Sequence, residues 1–494
     1  MASHSDLAAR WRRLVAITVV AAITLDGPAV ATEYQFTRIV DSTMLPPGSL
    51  SLMPDPINRY AYDLNNAGTV VFHTTFANQG GDTIHPKIYT SNGAFLHLVD
   101  ETVFGPSSER ILHNQGASIN DAGVVAYYRK DSVPNTFTES IRRSDGVAAY
   151  TATYTNVSGY DAVPPLSDRA AINNTGAVAF FTGNGGTSAS NAAILKESTG
   201  TLTTIATLND EHGFSSFAGL LSLNDQGTVA FSAYASGGSP STYNIYASDG
   251  MGPLTPIHIG TEFLLGSFDA DGSNSGSVAL ATLGGTLYLS DGSSPAEPFP
   301  LTPLPGEVYP PWAQTPSVNE LDEIAYLAFG NVGHFIAIGS DPALGKVIGE
   351  GDLLDGSTVA SGGGRLGAPE LNDRGQVAFG AMLADGRIGL YVATPLPPGD
   401  FTGDLVVDGT DLDVWRDNFG RVDAGFRDGD ADEDGDVDGA DFLQWQRQTG
   451  GSVISTSSAV VPEPAAGFMI AVALAAFAAR RKSLNSGPTL SCVV

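Results

Sequence analysis

The chain has 494 residues, of which 42% are hydrophobic and 16% are charged, so it is long enough to bury one large core or several smaller ones. Its formal net charge of −29 argues against nucleic acid as a partner, because phosphate binding requires clustered Lys and Arg. The single cysteine, Cys492, excludes an intrachain disulfide and a cysteine-based zinc site, and the 58 glycines favour short strands joined by tight turns.

The first 31 residues have the three parts of a secretory signal peptide. Three arginines within residues 10–13 form a basic region, and residues 14–25 (LVAITVVAAITL) form an apolar run that is too short to span a bilayer. Residues 29–31 (AVA) supply a small-x-small cleavage pattern. We therefore expect an exported protein whose mature chain begins near Thr32.

The middle of the chain repeats one motif seven times. A marker glycine stands at 68, 123, 176, 227, 276 and 375, with Asp322 in its place in the sixth copy, so the spacing runs from 46 to 55 residues. That spacing is typical of a four-stranded propeller blade. The copies are residues 63–72 (DLNNAGTVVF), 118–127 (SINDAGVVAY), 171–180 (AINNTGAVAF), 222–231 (SLNDQGTVAF), 271–280 (DGSNSGSVAL), 317–326 (SVNELDEIAY) and 370–379 (ELNDRGQVAF).

The motif predicts a turn followed by a strand. In Asn-x-x-Gly, the Asn side chain bonds to nearby backbone and the Gly takes the left-handed conformation. The alternating Val-Ala-Phe that follows predicts a strand with Val and Phe on one face and Ala against the next sheet. Asp-Gly and Asn-Gly pairs farther along, as in residues 244–250 (NIYASDG), predict a hairpin into a fourth strand. We expect these motif residues to be structural.

The seventh copy lacks its fourth strand, because a Pro-rich linker follows residues 387–395. Residues 36–49 (FTRIVDSTMLPPGS) resemble residues 95–108 (FLHLVDETVFGPSS) in pattern, so we expect residues 33–42 to complete the last blade. Closure of that kind removes open sheet edges. The predicted fold is therefore all-β, a seven-bladed β-propeller at 33–395. Its segments resemble the tandem repeats of uncharacterised secreted bacterial propeller proteins.

A duplicated acidic module is predicted at residues 399–450, after a linker at 396–398. At a period of 30 residues, Asp400 matches Asp430 and Trp415 matches Trp445, so each half is an acidic loop followed by a short amphipathic helix. The second loop has oxygen ligands at positions 1, 3, 5, 7, 9 and 12 of a calcium loop and Gly435 at the turn; a solvated acidic tail predicts no such register. Its predicted calcium ligands are Asp430, Asp432, Asp434, Asp436 through its carbonyl, Asp438 and Asp441.

The first loop matches the calcium pattern less closely. Leu405 takes the turn position, where a residue other than Gly costs on the order of 1 kcal/mol in backbone strain, so occupancy of this loop stays open. Its predicted calcium ligands are Asp400, Thr402, Asp404, Val406 through its carbonyl, Asp408 and Asp411.

With Asp rather than Glu at position 12, this duplicated loop–helix resembles a type I dockerin. The resemblance implies folding driven by calcium and docking onto a cohesin. Positions 10 and 11 are Gly409-Thr410 and Gly439-Ala440, where cohesin-binding members often carry a hydroxyl pair. A spacer locked by calcium is therefore the alternative.

The C-terminus has a second processing pattern after a linker at 451–460. Residues 461–464 (VPEP), the apolar residues 465–479 and the basic residues 480–482 (RRK) together resemble the PEP-CTERM sorting signal of Gram-negative bacteria. The resemblance implies cleavage by an exosortase, a helix that holds the chain in the membrane before processing, and a final location at the cell surface, outer envelope or extracellular matrix. A tail at 483–494 follows the usual end of such signals, so whether cleavage occurs stays open.

Catalytic patterns are missing from the sequence. None of the eight histidines has a metal-ligand spacing, and neither Gly-x-Ser-x-Gly nor a phosphate loop occurs. We therefore expect a non-catalytic binding or scaffold protein of the envelope or exopolysaccharide. The alternative is an extracellular polysaccharide hydrolase or lyase that carries a dockerin, because paired carboxylates can come from distant blades.

Overall fold

The computed structural model describes most of the chain between residues 32 and 449. The described residues are 32–45, 62–74, 77–79, 82–84, 87–101, 103–105, 108–112, 116–133, 136–145, 151–155, 170–182, 192–208, 213–235, 243–259, 270–272, 276–282, 284–331 and 333–449. The predicted signal peptide (1–31), linker (451–460), sorting segment (461–482) and tail (483–494) lie outside them.

These residues form 34 strands and two α-helices. The strands are β1 (Tyr34–Asp41), β2 (Tyr62–Leu64), β3 (Val70–His73), β4 (Ala77–Gln79), β5 (Asp82–Ile84), β6 (Lys87–Ser91), β7 (Leu96–Glu101), β8 (Val103–Gly105), β9 (Ser108–Leu112), β10 (Ser118–Ile119), β11 (Val125–Val133), β12 (Thr136–Ser144), β13 (Thr151–Thr155), β14 (Ala171–Ile172), β15 (Val178–Thr182), β16 (Ala193–Ser198), β17 (Thr201–Thr207), β18 (Phe214–Leu223), β19 (Val229–Ala235), β20 (Tyr243–Ser248), β21 (Thr255–Ile259), β22 (Ala270–Gly272), β23 (Val278–Ala281), β24 (Leu287–Ser290), β25 (Glu297–Pro298), β26 (Trp312–Val318), β27 (Ile324–Gly330), β28 (Gly333–Ile338), β29 (Lys346–Gly349), β30 (Leu353–Leu354), β31 (Ser357–Thr358), β32 (Glu370–Leu371), β33 (Val377–Met382) and β34 (Ile388–Pro395). The helices are α1 (Gly409–Asn418) and α2 (Gly439–Gln448), with a short 3₁₀-helix (Phe426–Asp428) between them.

Within the described residues, seven antiparallel sheets of four principal strands form the blades of a propeller. In chain order these are blade 1 (β2, β3, β6, β7), blade 2 (β10 to β13), blade 3 (β14 to β17), blade 4 (β18 to β21), blade 5 (β22 to β25), blade 6 (β26 to β29) and blade 7 (β32, β33, β34, β1). The first strand of each blade contacts the first strand of the next, from β2 through β32 and back to β2. The predicted seven-bladed propeller is confirmed.

The N-terminal strand closes the ring, as the sequence predicted. In blade 7, β1 pairs antiparallel with β34 over residues 34–41 and 389–395, with a register shift between Arg38 and Val40. The last blade is thus completed by the first strand of the ring, so β34 presents no open edge.

The apolar core is divided among the interfaces between blades. One cluster of buried hydrophobic residues lies between each pair of neighbouring blades, and the pair formed by blades 7 and 1 has its own. In blade 4, Val229 and Phe231 pack toward blade 3, whereas Ala230 packs toward blade 5. The predicted division of Val and Phe from Ala is confirmed there, because alternate residues of a strand point to opposite faces.

The Asn-x-x-Gly segments form the turns between the first and second strands of the blades. The marker glycines have positive φ, such as +80° at Gly176, and Asp322 in the sixth copy takes the same left-handed conformation at +61°. The Oδ1 of Asn173 accepts a hydrogen bond from the Ala177 N–H at 2.9 Å, which is the predicted local bond. We call the end of the ring that carries these turns the turn face.

The same asparagines also join neighbouring blades, which the sequence analysis did not predict. In five of the blades the Nδ2 donates to the carbonyl oxygen of the corresponding Asn in the next blade, and one of these bonds runs from the last blade to the first; the fifth copy has Ser273 at this position. We call these residues the asparagine ring. The described bonds run from Asn65 to Asn120 (3.0 Å), Asn120 to Asn173 (3.1 Å), Asn173 to Asn224 (2.8 Å), Asn319 to Asn372 (3.4 Å) and Asn372 to Asn65 (3.0 Å).

The glycines of the Asp-Gly and Asn-Gly hairpins also approach neighbouring blades. A Cβ placed on Gly250 would lie 2.6 Å from the Thr203 Cγ2 in the fourth strand of blade 3. A Cβ on Gly93 of blade 1 would lie 2.5 Å from the Thr37 Cγ2 in β1 of blade 7. These positions therefore need glycine both for positive φ and for the close packing of blades.

Three hairpins add to the four strands that each copy was predicted to supply. The pairs β4–β5, β8–β9 and β30–β31 lie in connections, and β9 also pairs with residues 129–132 of β11. Long connections satisfy their own backbone hydrogen bonds in this way. Neither α-helix in the described part of the chain has the length and apolar character that crossing a membrane requires.

Candidate functional site

The acidic residues after the ring form two loops of the same design, each leading into a helix. Asp438 caps the N-terminus of α2, and its side chain accepts a hydrogen bond from the Ala440 N–H at 2.6 Å. Asp441, which is fully buried, accepts from the Ala431 N–H and from the Asp438 N–H, both at 2.7 Å. This carboxylate therefore fastens the start of the loop to the start of the helix.

The first loop repeats that arrangement. Asp408 caps α1, and the buried Asp411 accepts from the Thr402 N–H at 2.9 Å and from the Asp408 N–H at 2.8 Å. At the turn position, Leu405 has a φ of +68° where Gly435 of the second loop has +94°. The left-handed conformation expected at Leu405 is present, and it favours glycine over a residue with a side chain.

The second loop gathers three carboxylates. One oxygen each of Asp430, Asp432 and Asp434 lies within 4.8 Å of the others. Asp430 is 1% exposed, and its Oδ2 accepts from the Gly435 N–H at 3.0 Å. The Oδ1 atoms of Asp430 and Asp432 are buried, and neither has a hydrogen-bond partner among the described residues.

Burial and mutual repulsion disfavour the ionised form of the carboxylates in this cluster. Burial raises the pKa of Asp430, and the charges of Asp441 and Asp434 raise it further against the Gly435 hydrogen bond. Burial also raises the pKa of Asp432, with Asp441 and Asp434 again adding to the effect. Buried carboxylate oxygens without donors are the ligand type that hard divalent cations prefer.

A further predicted ligand, Asp436, lies beside the cluster. The pKa of Asp436 is raised by burial of its carboxylate and by the charges of Asp434, Asp438 and Asp441. Its backbone N–H donates to the Asp434 Oδ1 at 3.1 Å, and its backbone pairs with Val422 in an isolated bridge. The six predicted positions of the second loop therefore belong to one connected set of contacts.

The first loop does not gather its carboxylates in the same way. Both oxygens of Asp400 accept backbone hydrogen bonds, from Gly403 and Asp404 at 2.7 and 3.2 Å and from Leu405 at 2.8 Å. Thr402 stands where the second loop has Asp432, and its hydroxyl lies 3.4 Å from an Asp400 oxygen. Asp404 accepts from the Val406 N–H at 2.9 Å. Of the two loops, the second has the stronger arrangement for a cation.

Two tryptophans tie each loop to the opposite helix, and the sequence analysis did not predict this role. The Trp415 Nε1 of α1 donates to the Asp438 carbonyl at 2.8 Å, and the Trp445 Nε1 of α2 donates to the Asp408 carbonyl at 2.8 Å. A Cβ on Gly429 would lie 3.0 Å from the Trp415 Cα, and one on Gly399 would lie 2.8 Å from the Trp445 Cα. The 30-residue duplication of Trp and Gly was the available signal.

The acidic module contacts the strand that closes the propeller. Leu396, directly after β34, packs with Phe401, Phe426 and Ala431 in one buried cluster. The Leu396 N–H donates to the Glu33 carbonyl at 2.9 Å. The Gln35 Nε2 of β1 donates to the Gly403 carbonyl in the first loop at 3.0 Å.

Carboxylates also meet at the turn face of the ring, beside a cavity of about 120 Å³ on its axis. The charge of Asp373 raises the pKa of Glu320, and burial and two further aspartates raise it more. The Oδ1 of Asp373 accepts from the Glu320 N–H at 2.8 Å, and the Oδ1 of Asp225 accepts from the Asn174 N–H at 2.7 Å. These carboxylates hold neighbouring blades together, which is a structural role.

Part of the ring matches a protein family whose function is not known. Residues 36–259 match DUF7453, described as a family of unknown function. No curated protein matches the chain.

Several solved structures are similar to the chain at low identity. The propeller domain of the Trilobed protease from Pyrococcus furiosus is 12% identical with a TM-score of 0.41, covering 68% of this chain and 94% of that one. An oligogalacturonate lyase in complex with manganese is 11% identical with a TM-score of 0.40, covering 74% and 98%. PorZ, a surface component of the type-IX secretion system of Porphyromonas gingivalis, is 14% identical with a TM-score of 0.41, covering 69% and 47%. The seven-bladed fold itself rests on the sheets and pairings described above.

Proposed function

We propose that this protein is an exported, non-catalytic binding or scaffold protein of the cell envelope or exopolysaccharide matrix, with a C-terminal module stabilised by calcium. The signal-peptide pattern of residues 1–31 and the sorting pattern of residues 461–482 support export and retention at the surface. On the turn face, the described polar side chains hold neighbouring blades together, which supports a structural ring.

The observation that carries the calcium proposal is the buried, unpartnered Oδ1 of Asp430 beside the carboxylates of Asp432 and Asp434. Burying ionised carboxylates without donors is costly unless a cation neutralises them. Calcium takes six to eight oxygen ligands in a flexible arrangement, which suits a loop built from carboxylates and backbone carbonyls. In this proposal the second loop is the stronger site and the first loop the weaker one.

Calcium binding can be tested by calorimetry on the full mature chain after EDTA treatment. We expect Asp430→Asn to weaken calcium binding by at least about tenfold, because affinity depends on the charge of the ligand set. Asp413→Asn is the matched control, since Asp413 lies on α1, is 63% exposed and pairs only with Arg416 among the ion pairs described. Equal affinities in the two variants would contradict the assignment.

Chelation is expected to unfold the module and leave the ring intact. EDTA should reduce the helical far-UV signal of α1 and α2 and lower their melting temperature, while the β-sheet transition persists. Helical signal and melting that do not change under chelation would refute a calcium-stabilised module.

The dockerin resemblance gives this module two possible uses. It either docks onto a cohesin-like protein or holds the ring at a fixed distance from its attachment point. Pull-down with a purified cohesin, in calcium and in EDTA, distinguishes docking from spacing. Docking predicts that the cohesin captures the chain in calcium and not in EDTA, whereas a spacer predicts no capture in either. An exosortase is the proposed processing partner, and mass spectrometry of the mature termini tests cleavage near residues 461–464.

Turnover of extracellular polysaccharide separates the binding function from the enzymatic alternative. The purified mature chain should bind without releasing oligosaccharides from envelope or matrix polysaccharide. Release of reducing ends or of unsaturated products would replace the scaffold proposal with a hydrolase or a lyase.

A further inference from the structure

A cavity lies between blades 5 and 6 at the end of the ring opposite the turn face. The turn between β23 and β24 forms one side, and the connection from β25 to β26 forms the other. Its volume is about 270 Å³, and its lining includes Tyr309 and Trp312. This cavity is distinct from the acidic loops and from the asparagine ring.

The Trp312 indole is held in a fixed position at this cavity. A Cβ placed on Gly285 would lie 1.5 Å from the Trp312 Cδ1, so the indole occupies space that only a glycine leaves open. On another side its ring centroid lies 5.6 Å from that of Phe329, tilted by 42°. The side chain is nevertheless 43% exposed. An aromatic surface already fixed in place loses little conformational freedom when a ligand binds.

A second aromatic ring lies nearby on a stiff segment. Tyr309 is 79% exposed and directly precedes Pro310 and Pro311, which restrict the backbone. An exposed tyrosine and tryptophan lining one cavity form an aromatic surface of the kind that marks binding sites.

The chemistry of the lining favours a neutral ligand with both apolar and hydroxyl surfaces. None of the ten described lining residues has a charged side chain, and the chain as a whole carries a net charge of −29, which repels anionic polymers. The Thr286 and Tyr309 hydroxyls and the Trp312 indole N–H have no hydrogen-bond partner among the described residues. A purely apolar ligand would leave these groups without partners, whereas a charged ligand would find no opposite charge.

We propose that this cavity binds pyranose units of a neutral polysaccharide, stacked on Trp312 and Tyr309. The C–H face of such a ring meets the electron-rich face of an aromatic ring, and its hydroxyl rim reaches the unpartnered polar groups. This inference rests on the proposed binding function and names the site and ligand class for it.

The test is calorimetry on the full mature chain with cellohexaose, laminarihexaose and mannohexaose as neutral probes. An alginate hexamer is the anionic probe, and a decaproline peptide represents the Pro-rich ligands that dock in aromatic-lined grooves. We expect at least one neutral probe to bind with a stoichiometry of one and to change the tryptophan fluorescence.

Three variants localise the binding. Tyr309→Ala and Trp312→Ala should each weaken binding by about tenfold, the size expected when one stacking ring is lost. Gly285→Ala should weaken it as well, because the new Cβ displaces the indole. Phe95→Ala is the matched control, since Phe95 is 81% exposed and lies on the turn face. Because Tyr309 is exposed, we expect Tyr309→Ala to fold, so it tests the site even if Trp312→Ala does not fold.

The outcomes separate this inference from the function on which it rests. Binding of a neutral probe that Tyr309→Ala leaves unchanged overturns the site while the binding function stands. Binding of decaproline or alginate alone overturns the ligand class, and binding of no probe overturns the inference. Hydrolysis of a probe whose affinity depends on Tyr309 supports the site and overturns the non-catalytic function.

Discussion

Substitution of one member of the asparagine ring measures how strongly side chains join the blades. Asn173 is 2% exposed, and its Oδ1 accepts from the buried Ala177 N–H at 2.9 Å. Its Nδ2 donates to the Asn224 carbonyl of blade 4 at 2.8 Å. Asn173→Ala removes these two bonds and the one that the Oδ1 accepts from the Thr175 hydroxyl at 2.8 Å, and it leaves the buried Ala177 N–H without a partner. A lost bond costs about 1 kcal/mol and the orphaned donor about 1–3 kcal/mol, so we expect a loss of about 3 kcal/mol.

Urea unfolding of the full mature chain, followed by far-UV circular dichroism, measures this loss. The urea concentration at the unfolding midpoint should fall while the m-value stays the same. Asn174→Ala is the matched control, because the Asn174 side chain is exposed and its two bonds, to the Asp225 carboxylate and from the Asp121 N–H, are open to water. It should cost less than about 1 kcal/mol. Asn173→Asp keeps the local acceptor and removes only the donor to blade 4. A loss in Asn173→Ala no larger than in Asn174→Ala would refute the reasoning.

Three further outcomes are expected. His73 is buried, and burial lowers its pKa to about 4 from 6.5, so the unfolded chain binds more protons between these values. The contribution of His73 to stability should therefore fall by about 3 kcal/mol as pH drops from 6.5 to 4, and urea midpoints of His73→Phe should show a flatter pH profile than those of the unaltered chain. Gly250→Ala should cost about 1–3 kcal/mol more in urea unfolding than Gly200→Ala, because the two glycines share a φ near +80° and only Gly250 meets a neighbouring blade; equal costs would contradict the packing role. Deletion of residues 33–41 should expose the edge of β34 and produce aggregates in light scattering, and a monomeric, cooperatively melting product would contradict closure by β1.

Local chemistry explains why most of the ring was predictable. The turn residues, the Val-Ala-Phe alternation and the Asp-Gly hairpins each depend on a few adjacent residues, so a repeated pattern predicts them directly. Asp322 could be aligned with the marker glycines because its neighbours keep the pattern, and its φ of +61° agrees. Pairing of β1 with β34 followed from counting strands together with the resemblance of residues 36–49 to residues 95–108.

Contacts between repeats could not be predicted in the same way. The Nδ2 of Asn173 bonds to a residue 51 positions away, and its partner depends on how two blades pack. The closeness of Gly250 to blade 3 has the same origin. In the acidic loops, ligand spacing predicted the grouping of Asp430, Asp432 and Asp434. The exchange of indole hydrogen bonds depends on the orientation of the helices, which ligand spacing does not determine.

Pairing of β1 with β34 has a consequence for how the chain reaches its native state. Tyr34 pairs with Pro395, so the final blade cannot assemble until nearly all of the ring has been synthesised. Contacts between residues so distant in sequence slow folding, because the entropy of closing a long loop is lost before the contact is gained. Until then β1 has no partner, and β34 keeps an unpaired edge from its synthesis until β1 pairs with it, whereas the other six sheets can already form. The ring is therefore most vulnerable to misassembly in its last folding step, and a chaperone that shields β34 would act at that step.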